Sequence, residues 1–234
     1  MKIVIAAAGR GTRMRNLSQN QPKHLIEVAG KPFLYYLLEN IKRAGYSEII
    51  VVGGYCIEQM REFLSGYDEN IELIDQNKYI LDDSYGTICP LKSARYFVMD
   101  ESFVFVSGDN LYSPEDLRRF QNLDKDYSYV GGINHPKPQL YGCLKIENDL
   151  VKEIIEKPKK QISNYINTGI YKFNSDIFSC VNKVKKSTRG EFELTDAINI
   201  LAKQDKVKFI ELADYWYDFG KPEDVNKIQS FLSK

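Results

Sequence analysis

Near the amino terminus, Ala7-Ala8-Gly9-Arg10-Gly11-Thr12-Arg13-Met14 sets two glycines and two arginines directly after an apolar run. Gln21-Pro22-Lys23 follows at short range. Glycines let successive backbone N–H groups approach an anion, and Arg13 and Lys23 bring the positive charge that a polyphosphate requires. Met14 stands where the fingerprint G-x-G-x-x-G needs its third small residue, so a dinucleotide fold is poorly matched. No G-K-[S/T] stands at the offset of a Walker A loop either. The plain alternative is a solvated surface turn, and a turn placed after a hydrophobic strand with two cations close by favours phosphate. A second candidate is Asp109 in Gly108-Asp109-Asn110, just past the apolar run Phe103-Val104-Phe105-Val106. A carboxylate at the carboxyl edge of a strand can hold Mg²⁺, a hard ion that prefers oxygen, although Asp after Gly is also a common turn former.

These residues need a scaffold, and the chain order supplies one. Short apolar runs alternate with helical patterns, as expected of an α/β protein with a parallel sheet. Strands are predicted over 3–8, 49–52, 71–74 and 103–106. Helices are predicted over 33–44, 57–64, 88–97 and 114–120, with Pro90 tolerable in a first turn. The second half is more mixed. Strand-like segments lie at 127–133, 141–146, 151–155 and 168–173, and helices at 176–184, 193–203 and 222–232. The expected fold is therefore a three-layer, doubly wound, mostly parallel, Rossmann-like sheet with a small mixed-β region. No linker breaks the composition, so one domain over 1–234 is expected, in two halves of about 1–125 and 126–234.

The 234 residues carry 32 Lys+Arg and 32 Asp+Glu, a formal net charge of zero. That balance argues against a general nucleic-acid coat or a polybasic membrane binder, and leaves room for a local basic pocket. No aromatic–basic alternation suggests a surface for single-stranded nucleic acid. Cys56, Cys89, Cys143 and Cys180 are far apart and the chain has two His, so reduced thiols are expected and a zinc site is not. The apolar start is stopped by Gly9-Arg10, too early for a signal peptide or a membrane span, so a cytoplasmic protein is expected.

With these residues in view, the chain resembles the sugar-1-phosphate nucleotidylyltransferases, also called NDP-sugar pyrophosphorylases. Their G-x-G-T-R-[LM] signature with a downstream P-K stands here as Gly9 to Met14 and Pro22-Lys23. The resemblance implies that Ala8, Gly9, Gly11 and Thr12 wrap the nucleotide phosphates while Arg13 and Lys23 stabilise the triphosphate and the departing pyrophosphate. Gly108-Asp109-Asn110 matches the family's G-D-N. Tyr215-Trp216-Tyr217-Asp218-Phe219-Gly220-Lys221-Pro222-Glu223-Asp224 matches its W-x-D-x-G ending, which implies Asp109 and Asp218 as the Mg²⁺ ligands. Tyr141-Gly142, Glu156-Lys157-Pro158 and Asn167-Thr168-Gly169 match its sugar-side segments. They imply backbone contact at Gly142, hydroxyl contacts at Glu156 and Asn167, and a phosphate contact at Lys157. The resemblance also implies nucleotide contacts at Gly86 and Thr87, though Gln76 does not fall in register with the Gln that pyrimidine-specific relatives carry. His24, where relatives carry a small residue or proline, is expected to be neutral in effect or to sit at the rim. Glu193 to Asp196 is expected to start a helix, capped by Thr195 or Asp196.

The activity so implied is Mg²⁺-dependent transfer from a nucleoside triphosphate, UTP or dTTP favoured, to a sugar-1-phosphate. An alternative is a cytidylyltransferase acting on a phosphorylated alcohol or amine. A non-catalytic NDP-sugar-binding regulatory subunit is another, disfavoured because such proteins lose a loop cation or a metal Asp. Relatives are often dimers or tetramers, so the resemblance also implies a homo-oligomer. No hexapeptide β-helix pattern follows, so a single activity is expected.

Overall fold

The computed structural model describes residues 1–80, 85–99, 101–187 and 190–233. Strand β1 (Lys2–Ala7) lies at the centre of the first half, paired in parallel with β4 (Glu48–Gly53) and β6 (Phe103–Ser107). Strand β5 (Glu72–Asp75) extends the parallel set beyond β4. The second half adds β8 (Ser128–Asn134), β9 (Gly142–Glu147), β10 (Leu150–Glu156), β11 (Tyr165–Phe173) and β12 (Val207–Glu211). Together they make one nine-stranded sheet in the order β5-β4-β1-β6-β11-β8-β12-β10-β9. Strand β11 runs antiparallel to both β6 and β8, so the parallel half passes into a mixed half at that strand.

Alternation along β1 explains the three layers. Successive side chains of a strand point to opposite faces, and β1 is apolar on both. Ile3 and Ile5 join one buried cluster with residues of α1 (Phe33–Arg43), α2 (Ile57–Tyr67), α4 (Pro114–Gln121) and α7 (Pro222–Leu232). Val4 joins the other, formed with α3 (Cys89–Val98), α5 (Asp176–Val181) and α6 (Leu194–Ala202). Pro90 sits in the first turn of α3, where its missing N–H costs no helical bond.

Two short ribbons lie outside the main sheet, β2 (Glu27–Val28) with β3 (Lys31–Pro32), and β7 (Asn110–Tyr112) with β13 (Trp216–Asp218). The second ribbon, strand β12 and the 3₁₀ turns that follow Gly11 are absent from the sequence-based prediction. Helix α6 begins one residue later than predicted, and its first N–H group is met from afar: Leu194 N donates to the Thr87 hydroxyl over 2.9 Å. Thr195 and Asp196 are therefore inside the helix and do not cap it. All four cysteines are free thiols, three of them buried.

Candidate active site

The glycine loop leaves the carboxyl end of β1 and coils at once into two 3₁₀ turns over Thr12–Ser18, separated by a kink at Arg15. Gly11 opens the first turn with φ +64°, and its carbonyl accepts from Met14 N at 2.8 Å and the Ser18 hydroxyl at 2.7 Å. Met14 is fully buried and anchors the coil to the core, while Gly9, Thr12 and Arg13 stay exposed. A Cβ on Gly11 would lie 2.7 Å from the Cβ of Lys23. Both the left-handed backbone and this close approach require glycine. Across the loop, Tyr55 N donates to the Ala8 carbonyl at 3.3 Å, tying the end of β1 to the turn after β4.

Lys23 is 9% exposed, and its ammonium donates to the Asp109 carboxylate. Burial pushes the Asp109 carboxyl up, but the Lys23 charge and its hydrogen bond outweigh burial and hold the group below the usual carboxylate range. His24 is 1% exposed, which corrects the expectation of a rim position. Burial, and then the Lys23 charge, lower its pKa to about 3, against a smaller opposing pull from Asp109, so the imidazole is neutral.

Asp218 reaches Asp109 through the β7–β13 ribbon. The register pairs Asp218 with Asn110, Tyr217 with Leu111 and Trp216 with Tyr112, and Phe219 N donates to the Asp109 carbonyl at 2.8 Å. Three devices hold the ribbon in place. The Asn40 amide of α1 donates to the Tyr112 carbonyl and the Tyr215 hydroxyl, both at 2.8 Å. Phe219 stacks on Phe33 with ring centroids 4.2 Å apart. The fully buried Asp116 carboxylate accepts from Ala213 N at 2.8 Å and Asp214 N at 3.1 Å, fixing the chain that enters β13. A Cβ on Gly220 would lie 3.2 Å from the Asp218 carboxylate and 3.6 Å from the Arg13 guanidinium, which locates both groups beside that residue.

Burial first, then the charges of Asp109 and Asp224, raise the Asp218 carboxyl to about 6, with Arg13 and Lys23 opposing. The buried ammonium is bonded to Asp109, and its charge also reaches the Asp218 carboxylate nearby. This donor set suits Mg²⁺, which binds one or two carboxylates and leaves its other positions to water and substrate phosphate. Among the described residues no group of three or more His, Cys, Asp or Glu could form an all-protein cage. The adjacent Asn110 Oδ1 is buried without a hydrogen-bond partner among them, one more oxygen lone-pair donor at this spot.

The residues expected on the sugar side gather on neighbouring strands. Gly142 on β9 pairs with Glu156 on β10, and Cys143 pairs with Ile166, next to Asn167 on β11. Lys157 follows Glu156, exposed, with φ +44° and its N–H donating to the Tyr141 carbonyl at 3.0 Å. Asn167 opens a bulge in β11, where Gly169 at φ +76° passes so close to Ser107 that a Cβ would meet its hydroxyl at 2.5 Å. The carbonyl of Thr168 in this bulge accepts from the Tyr112 hydroxyl at 2.8 Å and from Trp216 Nε1 at 3.2 Å. The β7–β13 ribbon and strand β11 are therefore bonded to each other directly.

Gly86 and Thr87 pack against the segment that opens α6. A Cβ on Gly86 would fall 2.2 Å from the Phe192 carbonyl oxygen, and the Thr87 hydroxyl serves Leu194 N. Residues 82–84, which precede them in the same stretch, lie outside the described residues. Asn40, Asp116 and Thr168 are positioning residues that sequence reasoning missed.

Residues 2–234 match the model of the nucleotidyl transferase family. A bifunctional sugar-1-phosphate nucleotidylyltransferase/acetyltransferase of Sulfurisphaera tokodaii is 37% identical over 97% of this chain, which spans 55% of that relative's length. A UTP–glucose-1-phosphate uridylyltransferase of Haloferax volcanii is 30% identical over 100% of this chain and 97% of its own. Among solved structures, a Bacillus anthracis protein described as a glucose-1-phosphate thymidylyltransferase superposes with a TM-score of 0.84. It is 28% identical, over 99% of this chain and 94% of its own. The glycine loop, the Lys23–Asp109 pair and the ribbon bearing Asp218 thus stand in a chain that belongs to the nucleotidyl transferase family.

Proposed function

We propose that the protein transfers a uridylyl or thymidylyl group from UTP or dTTP to a hexose-1-phosphate, glucose-1-phosphate first among them. The observation that carries this reading is the ribbon that brings Asp218 to Asp109 beside Lys23 and the glycine loop. The names of the Haloferax and Bacillus relatives support a pyrimidine nucleotide and glucose-1-phosphate.

In this reading an oxygen of the sugar phosphate attacks the α-phosphorus, a P–O bond forms, and the bond to pyrophosphate breaks in line. The enzyme contributes position and charge rather than a nucleophile. Backbone N–H groups over Ala8 to Thr12 hold the triphosphate, and Arg13 and Lys23 neutralise the leaving pyrophosphate. Asp109 and Asp218 would hold Mg²⁺, which supplies positive charge to the phosphates when bound. Lys157 meets the phosphate of the acceptor, while Glu156 accepts from its hydroxyls and Asn167 accepts from or donates to them. Asn167 Oδ1 already accepts from Gly169 N at 3.1 Å and its Nδ2 donates to Tyr171 at 2.7 Å. Each group keeps one site for a sugar hydroxyl, in an orientation the protein has already fixed.

The test is pyrophosphate release from each of the five common nucleoside triphosphates against a panel of phosphorylated acceptors, with Mg²⁺. The expected pair is UTP or dTTP with a hexose-1-phosphate. Release confined to CTP with a phosphorylated alcohol or amine, or no release with any pair, would overturn the reading.

A further inference from the structure

We propose that Lys23 is the resident cation of the metal site: in the free protein its ammonium occupies Asp109, and a triphosphate must draw it away before a divalent ion binds tightly. The proposal rests on reading Asp109 and Asp218 as the metal carboxylates.

Three observations lead to it. First, the Lys23 ammonium donates to an oxygen of Asp109, one of the two carboxylates a divalent ion would use. An ammonium has donors and no lone pair, so it cannot join a metal's coordination shell. Two cations at one carboxylate repel strongly where water is scarce. The ammonium and the metal are therefore competitors for Asp109. Second, no other cation can stand in for Lys23 there at no cost. His24 next to it is buried and neutral, and Arg13 is an exposed side chain near Gly220 whose charge acts on Asp109 less than that of Lys23 does. Third, the Lys23 stem packs on the bare α-carbon of Gly11, in the loop that faces the phosphates. A ligand seated in that loop offers oxygens to the same ammonium, whose long stem swings by rotamer change alone.

Lys23 would then do two jobs with one charge. In the free protein it satisfies Asp109 and keeps the metal affinity low. With a triphosphate in place it pairs with phosphate, and both carboxylates become free for the ion that arrives with the nucleotide. Premature loading of the site without nucleotide would be suppressed.

Manganese binding to the nucleotide-free protein tests this without turnover. Trp216 is the single tryptophan and lies two residues before Asp218, so its fluorescence reports a paramagnetic ion at the site. Lys23→Met keeps the stem and removes the charge, and Lys23→Gln does so with a polar end. Both are expected to bind Mn²⁺ about tenfold or more tightly than the parent, and Lys23→Arg to match the parent. Asp218→Asn should abolish the quenching in every background. Parent-like or weaker binding in the Met and Gln variants, with quenching that still needs Asp218, would overturn the lock and leave the metal site standing. Quenching insensitive to Asp218→Asn would overturn both. If the variants do not fold, the parent decides the matter. Mg²⁺ is expected to raise acylation of Lys23 by an amine-directed reagent several-fold relative to exposed Lys145, and an unchanged or lower ratio contradicts the lock.

Discussion

The backbone N–H of Phe219 donates to the carbonyl of Asp109 over 2.8 Å, and that bond puts Asp218 on the strand beside Asp109. The two carboxylates come from opposite halves of the chain, yet Asp218 closes a ribbon of three residues per strand that begins right after Asp109. Such a ribbon is not stable alone. Its geometry depends on Asn40, Asp116, the Phe33–Phe219 stack and the Thr168 carbonyl.

Asp116 should be the most costly of these to lose. It accepts from Ala213 N, Asp214 N, the Ser113 hydroxyl and Arg119, all at a fully buried carboxylate. Asp116→Ala strands two backbone donors, so a loss of about 2–4 kcal/mol in urea unfolding is expected. A loss below about 1 kcal/mol would show that the 213–214 segment finds other partners.

Much of the site was legible because its chemistry needs particular residue types at a strand end: two glycines and two cations after β1, an Asp after β6, an Asp before a helix-opening Pro222. The strand carrying Asp218 was not, since three residues show no periodicity. Strand β12 was passed over because Val207–Glu211 mixes charge with apolar residues and begins right after a helix. Asp116 reads from sequence as an ordinary acid in the first turn of α4, and its grip on a segment far along the chain leaves no local trace. His24 was read as neutral or at the rim because relatives carry a small residue or proline there; packing buried it instead.

Gly11→Ala should separate conformation from mere presence of a loop. Alanine at φ +64° costs about 1 kcal/mol, and its methyl would push on Lys23 from 2.7 Å. Turnover is expected to fall on the order of a hundredfold, the scale of a misplaced catalytic group. In Gly9→Ala, where no atom lies within 4 Å of the added carbon, stability should not change. Equal thermal midpoints and equal rates for the parent and Gly11→Ala would refute the assigned contact.

Asp218 gives a pH-dependent prediction. Its carboxyl is raised from 3.8 to about 6 in the folded protein, chiefly by burial and by Asp109. The folded state therefore holds that proton more tightly than the unfolded one. The favourable contribution is fully present below pH 3.8 and is lost as pH rises through 6. In chelator at pH 8, Asp218→Asn should be more stable than the parent by roughly 1–2 kcal/mol, after allowance for partial exposure. The gap should close towards pH 4.5. Urea titrations at the two pH values check this, and a gap independent of pH would contradict it.

Tyr112 and Trp216 donate to one carbonyl, that of Thr168, so their loss should not be additive. Tyr112→Phe or Trp216→Phe alone is expected to cost about 1 kcal/mol, because the other donor remains. The double variant should cost more than the two together and should weaken sugar-phosphate use more than nucleotide binding. Strict additivity across the cycle would show that the two bonds act independently.

Direct detection of the product tests nucleotidyl transfer at Asp109 and Asp218 most plainly. The parent protein, given UTP or dTTP, glucose-1-phosphate and Mg²⁺, should yield the corresponding nucleoside diphosphate sugar and one pyrophosphate per product. Omission of the sugar phosphate, addition of chelator, or Asp109→Asn or Asp218→Asn should each reduce the yield to background. Pyrophosphate release without sugar phosphate, or undiminished product from folded Asp109→Asn, would contradict nucleotidyl transfer at this pair of carboxylates.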